Sequence, residues 1–200
     1  MDKKELEIAL QRCAGFSSPK IELEQYVTPA GIAAELLVLA LLRGDILGKV
    51  VYDLGCGTGR LGIGAALLGA RRVVGVDADQ EALLTARENA GKFAIDNIEF
   101  IREDVRGISG RADTVLQNPP FGVHRRGADR VFLSKAVEIA PVVYSIHKRS
   151  TRSFVLRYLK ELGCRAAELV EAKFELPRSY SFHRKEKRHV DVDIYRIVVD

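Results

Sequence analysis

Cysteine is scarce in this sequence of 200 residues: Cys13, Cys56 and Cys164 stand far apart, with no Cys-x-x-Cys pair. That spacing excludes a disulfide framework and a zinc knuckle, and it agrees with a reduced compartment, so a cytoplasmic location is expected. Proline is also sparse, at six residues, and no biased tract is present, which argues against a disordered or collagen-like chain. Long apolar runs are missing. The most apolar segment, Ile32 to Leu42, is interrupted by Glu35 and has only about half the length needed to cross a bilayer. The opening MDKKELEIALQRC puts charges where a secretory leader needs an apolar core, so no leader is expected.

Hydrophobic residues make up 47% and charged residues 29%, enough apolar material for one folded domain covering residues 1–200. The net charge of +4 is a small difference between 31 basic and 27 acidic residues. Where the charges lie therefore says more than their sum.

Up to Arg43 the apolar residues fall at helical spacing, first around Leu6 to Leu10, then from Ile32 to Leu41. Between them, Glu24 to Pro29 is expected to run extended, because the proline ring disfavours helix at Thr28. From Lys49 the pattern changes. Val50 to Leu54, Arg72 to Asp77, Ile98 to Arg102, Thr114 to Gln117 and Val142 to Ile146 read as strands. Helical windows separate them at 60–68, 79–92, 129–139 and 150–162. Ala166 to Leu176 and Val190 to Val199 then read as an antiparallel pair. The expected fold is α/β: a Rossmann-like, doubly wound, mostly parallel seven-stranded sheet with an antiparallel C-terminal edge pair and N-terminal helices. Residues 1–43 would form the helices and a segment closing over a ligand, and 49–200 the core.

Asp53-Leu54-Gly55-Cys56-Gly57-Thr58-Gly59 follows the first strand and opens a helix, the context in which glycines let a backbone approach a nucleotide. Gly57 to Gly62 satisfies GxGxxG, and Asp77 ends the next strand, so NAD fits this loop by itself. S-adenosylmethionine is the alternative. Asp77 suits a ribose, since a carboxylate offers two acceptor oxygens to a vicinal diol, and Asp104 after the third strand suits an adenine amine. Taken singly, each of these aspartates is an ordinary cap or strand-end residue; their shared placement after consecutive strands favours a site.

Asn118-Pro119-Pro120-Phe121 follows the fourth strand and separates these readings, because hydride transfer has no use for it. The prolines stiffen the turn. The Asn118 amide oxygen and the Pro119 carbonyl then form a double acceptor for an NH2 group, and Phe121 offers a flat face for an unpaired purine. Such a base must be flipped out or already single-stranded.

With these motifs, the sequence resembles a class I S-adenosylmethionine-dependent methyltransferase. In the resemblance, Asp53 of DLGCGTG helps to hold the methionine ammonium. Leu23-Glu24-Gln25-Tyr26-Val27-Thr28-Pro29, DLGCGTGRLGIGA and NPPFG together are similar to the methyltransferase-like protein five family and its archaeal relatives, which methylate adenine N6 in small-subunit ribosomal RNA. The resemblance implies that Gln25, Tyr26 and Thr28 close over the cofactor beside Gly55, Gly57, Gly59, Asp77, Asp104 and Asn118. It also implies a small zinc-binding activator protein as a partner, although Val27 departs from the proline found there in some relatives.

Positive charge gathers after strands, at Arg125, Arg126 and Arg130, at Lys148, Arg149 and Arg152, and at Arg184, Lys185, Lys187 and Arg188 in the hairpin connection. These residues are expected to meet RNA phosphates, although a charge run is also a common solvated loop. The four histidines form no ligand set, so no metal is expected, and Cys56 reads as a small packing residue. An RNA adenine-N6 methyltransferase is the expected function. Transfer to a protein glutamine amide or guanine N2, a noncatalytic RNA-binding subunit, and a nicotinamide dehydrogenase are the alternatives.

Overall fold

The β-branched runs of the middle of the chain become neighbouring strands because the central ones can bury both faces under the helices that separate them, while Ile98 to Arg102 stays largely exposed. A computed structural model describes residues 1–121, 127–176 and 188–199. Its strands are β1 (Val50–Leu54), β2 (Arg72–Asp77), β3 (Ile98–Arg102), β4 (Thr114–Gln117), β5 (Val142–Lys148), β6 (Cys164–Leu176) and β7 (Arg188–Val199). They form one sheet in the order β3-β2-β1-β4-β5-β7-β6. The first five run parallel, while β7 is antiparallel to both β5 and β6.

The first four strands have the bounds read from the sequence. β5 runs on to Lys148 instead of stopping at Ile146, because His147 and Lys148 pair with Asp193 and Val192 of β7. Backbone pairing overrides the polar side chains there.

The helices are α1 (Lys3–Gln11), α2 (Ala30–Leu42), α3 (Arg60–Leu67), α4 (Gln80–Gly91), α5 (Ala128–Ile139) and α6 (Arg152–Glu161). Asp2 and Glu5 cap α1 reciprocally, each side chain accepting from the other's backbone N–H. One core cluster holds Leu6 and Leu10 of α1, Leu36 and Leu37 of α2 and Ile63 of α3. A second lies beneath α5 and α6, around Leu133, Ala136, Val155 and Leu159. Burying each such leucine contributes about 1.5–3 kcal/mol, which fixes which helix covers which face.

The register brings three carboxyl ends together, because Leu54 of β1 lies beside Val76 of β2 and Gln117 of β4. Strand order reverses between β1 and β4. Ligands of open parallel sheets bind in the crevice at such a switch point.

Candidate active site

A cavity of about 490 Å3 opens at that edge. Its walls come from the loop after β1, Asp77, residues 103–106 after β3, Asn118 and Pro120 after β4, the start of α5, and a strap that contributes Phe16 and residues 22–28. The strap is tied down at several points. Ala14 N–H donates to Asn89 Oδ1 at 2.8 Å, and Asn89 Nδ2 donates to the Ala14 and Thr58 carbonyls at 3.0 Å each. Arg60, the first residue of α3, donates to the Thr28 carbonyl at 2.7 Å and to the Cys13 carbonyl at 2.9 Å.

Gly55 and Gly57 adopt positive φ, +66° and +53°, which lets the loop turn beneath the cavity. A Cβ on Gly55 would stand 2.9 Å from Phe132 Cε1, and one on Gly57 2.8 Å from Phe16 Cζ. Only glycine fits between the loop and these two rings. Gly59 caps α3 and does not line the cavity.

Asp53 is 1% exposed, and its Oδ2 accepts from Gly62 N–H at 2.7 Å. Burial pushes its carboxyl up to about 7, with the Gly62 N–H working against that rise and the Asp77 charge adding to it. A cation in the cavity would favour the ionised form. Asp77 accepts from Gly57 N–H at 2.8 Å through Oδ2 and from Asp79 N–H at 2.9 Å through Oδ1. Each oxygen keeps a further lone pair for a donor. Burial raises this carboxyl too.

Other expected residues stand differently. Gln25 lines the cavity, but its amide ties the strap together: Oε1 accepts from Lys20 N–H at 2.8 Å and Nε2 donates to Asp79 at 2.7 Å. Tyr26 lines the wall beside it. Asp104 is on the rim and caps a short 3-10 turn, with both oxygens held by the Arg106 guanidinium at 2.8 Å. To receive an adenine amine it would have to share those lone pairs.

Asn118 and Pro120 line the wall, whereas Pro119 and Phe121 do not. Nδ2 of Asn118 donates to Thr28 Oγ1 at 3.0 Å, and Oδ1 is buried with no hydrogen-bond partner among the described residues. Of the expected double acceptor, Asn118 alone faces the cavity. The Phe121 ring meets Phe174 edge-on at 6.1 Å, and the Lys148 ammonium lies 5.1 Å from its centre. Phe121 is partly buried and packs against the core there, so it would have to turn from Phe174 to serve as the expected purine platform.

The basic residues divide. Arg125, Arg126, Arg184, Lys185 and Lys187 lie outside the described residues, as does the side chain of Arg188. Arg130 stacks over Phe154 and Tyr158 at 4.9 and 5.4 Å. Arg149 and Arg152 pair with Asp193 and Glu171, so a phosphate meeting either would share it with these internal ion pairs. A buried carboxylate at Asp193 needs these cations. Among the described residues no group of histidine, cysteine, aspartate or glutamate could hold a metal ion.

Sequence reasoning missed Phe16, Arg60 and Phe132. Phe16 was readable only as a lone aromatic before a polar stretch, and Phe132 as one apolar residue of a helix. Arg60, next to Gly59 at the head of a helix, was the strongest available signal.

This set of groups fits a nucleoside with a cationic amino-acid end: glycines for close backbone approach, the buried Asp53 for an ammonium, the partly buried Asp77 for a diol, and Asn118 in the wall. Comparison with known proteins agrees. Residues 30–140 match the model of the methyltransferase small domain. The chain is 42% identical to the rRNA N(6)-adenosine-methyltransferase METTL5 of Danio rerio, covering 98% of each sequence. It is 41% identical to Mettl5 of Drosophila melanogaster, an rRNA N(6)-adenosine-methyltransferase, over 98% of this chain and 96% of that one. Among crystal structures, a candidate RNA methyltransferase of Pyrococcus horikoshii superposes with a TM-score of 0.93 at 47% identity, covering 100% of this chain and 98% of that one.

Proposed function

Because this chain belongs to the METTL5 family of methyltransferase small-domain proteins, we propose that it uses S-adenosylmethionine to methylate adenine N6 in small-subunit ribosomal RNA. The whole chain, residues 1–200, would act as one catalytic unit in the cytoplasm. No helix among the described residues is long and apolar enough to cross a membrane.

The observation that supports this reading is Asn118, which lines the cavity and whose Oδ1 is buried without a hydrogen-bond partner. A buried acceptor without a partner costs about 1–3 kcal/mol, and an incoming amine removes that cost. The N6 amine would donate a hydrogen bond to Oδ1, which fixes the nitrogen in place and draws its lone pair out of conjugation with the ring. Asp53 would hold the ammonium end of the donor, Asp77 the ribose hydroxyls and Asp104 the adenine amine, above the loop of Gly55, Gly57 and Gly59, with Gln25, Tyr26 and Thr28 closing the other side. When bound, the sulfonium donor supplies an electrophilic methyl group. No strong base is needed before transfer, because the amine nitrogen is neutral and loses its proton only afterwards.

Lys148 stands beside Phe121 and would meet phosphate next to the flipped base, together with Arg130, Arg125, Arg126 and the basic hairpin connection of Arg184, Lys185, Lys187 and Arg188. Phe121 would stack on the base only after turning from Phe174. Partnership with a small zinc-binding activator is part of the same reading.

The test incubates the chain, with and without such a partner, with unmodified ribosomal RNA and labelled donor, followed by mass spectrometry of nucleosides. N6-methyladenosine is expected, reduced about tenfold to a thousandfold in Asn118→Ala while donor affinity holds. Label confined to protein glutamine or to guanine would overturn the assignment.

A further inference from the structure

We infer that Arg130, laid over the rings of Phe154 and Tyr158, is a stacking platform for a base of single-stranded RNA next to the adenine in the cavity. This rests on the reading of the chain as an RNA methyltransferase, and it goes beyond a phosphate contact, because a platform meets the face of a base. The floor comes from α6. Phe154 and Tyr158 are one helical turn apart, and their rings lie stacked, 12° from parallel with centres 5.8 Å apart. The Tyr158 hydroxyl is hydrogen-bonded to Ser134 Oγ of α5 at 2.7 Å, which restrains its ring. Over this pair the Arg130 guanidinium stands 4.9 Å from one ring centre and 5.4 Å from the other, held by the electron-rich faces beneath it.

Arg130 is nonetheless exposed, and among the described residues its guanidinium meets no carboxylate. Neighbouring Asp129 accepts the Arg130 backbone N–H instead. Arg106, Arg149 and Arg152, by contrast, each meet a carboxylate. The charge and the planar surface of Arg130 are therefore open to a ligand that offers both an anion and a ring. A nucleotide offers both, since a base stacks on a guanidinium plane as it does on an aromatic ring. The place fits as well. Both α5 and α6 begin after parallel strands, at the carboxyl edge where the cavity opens. Gly127, Ala128, Val131 and Phe132 line that cavity, so Arg130 belongs to the same helical turn as its wall. Turning the target adenine out of its strand takes a stacking partner from the base beside it. A platform one turn from the cavity replaces that partner.

The test measures Kd of the full chain for a single-stranded ribosomal RNA fragment centred on the adenine it methylates, and for copies with an abasic nucleotide at each of the two positions on either side. Arg130→Lys keeps the cation and loses the plane. It is expected to weaken binding of the intact fragment about 5–100-fold, the range for one stacked base, with the slope against salt unchanged and donor Kd within about twofold. At one of the tested positions the abasic copy should bind the unaltered chain as weakly as the intact fragment binds Arg130→Lys, and combining the two changes should cost nothing more. Wild-type affinity in Arg130→Lys, or a loss in Arg130→Lys that is equal on every copy, would overturn the inference while the parent reading stands, leaving Arg130 to a phosphate, a protein contact or helix packing. No methylation of RNA by the unaltered chain would overturn the parent reading and this inference with it.

Discussion

Asp53 and Gly62 are joined by a 2.7 Å hydrogen bond from the Gly62 N–H, in the first turns of α3, to a carboxylate that solvent barely reaches. Burial lifts that carboxyl from 3.8 to about 7, so the folded chain holds the proton more tightly than the unfolded one. Ionising Asp53 therefore costs stability as pH rises from about 4 to about 7. Without donor, Asp53→Asn should be more stable than the wild type above pH 7 by about 2–4 kcal/mol, and the gap should close near pH 4. Urea unfolding at the two pH values measures it, and a gap that does not change with pH would count against a raised Asp53.

Donor affinity should follow the same group. If ionised Asp53 receives the ammonium, affinity falls by up to about tenfold per pH unit below 7. Titration calorimetry of wild type and Asp53→Asn from pH 5 to 8 reads this directly. The variant's affinity should be weak and flat.

His147 works in the opposite direction. Burial lowers it from 6.5 to about 4, although the Asp193 charge partly opposes the fall, and its Nε2 lies 2.7 Å from Ser145 Oγ. A depressed histidine adds stability that is present above its unfolded pKa and lost as pH falls from about 6.5 to about 4, about 3 kcal/mol across that window. His147→Gln should flatten this acid limb. A variant that declines as steeply as the wild type between those pH values would show that another group is responsible.

Gly57→Ala meets two obstacles, a φ of +53° and a ring carbon 2.8 Å from the new Cβ. Left-handed backbone costs about 1–2 kcal/mol for a residue with a Cβ, and crowding about 1–3 more. The expected result is a lower melting temperature and donor binding weakened at least about tenfold. Full donor affinity in this variant would mean that the loop does not approach the donor closely.

Lys148 and Arg149 are neighbours with different work. Lys148→Ala should lower the slope of RNA affinity against salt by about one phosphate contact. Arg149→Ala should leave the slope unchanged and cost about 1 kcal/mol of stability, because its charge is spent on Asp193 and Glu171. Filter binding over a salt series separates the two, and equal slopes for both variants would contradict the division.

The strands that end at the cavity were legible because short β-branched runs there are bounded by glycine, aspartate and asparagine, residues that stop a strand for local reasons. Asp53, Asp77 and Asn118 could be found for the same reason, since a parallel sheet sends consecutive strand ends to one edge. The ion pairs of Arg149 were not legible: an arginine after a strand looks the same whether or not an aspartate waits for it in a strand more than forty positions on. The ring contact of Phe121 was hidden similarly, its partner Phe174 being supplied by β6. Arg60 and Phe16 depend on how the strap crosses the loop, which no local pattern encodes.

β7 lies between β5 and β6, so the penultimate strand has nothing to pair with until the last one has been made. On a ribosome that emits the amino-terminal side first, the sheet can grow only as far as β5 and must then wait. A nascent chain at that stage shows an unpaired β5 backbone, with Ser145 and His147 uncovered beside it. Shielding that edge from neighbouring chains is the delicate moment of biosynthesis, and a message truncated before codon 188 would leave the edge open for the life of the product.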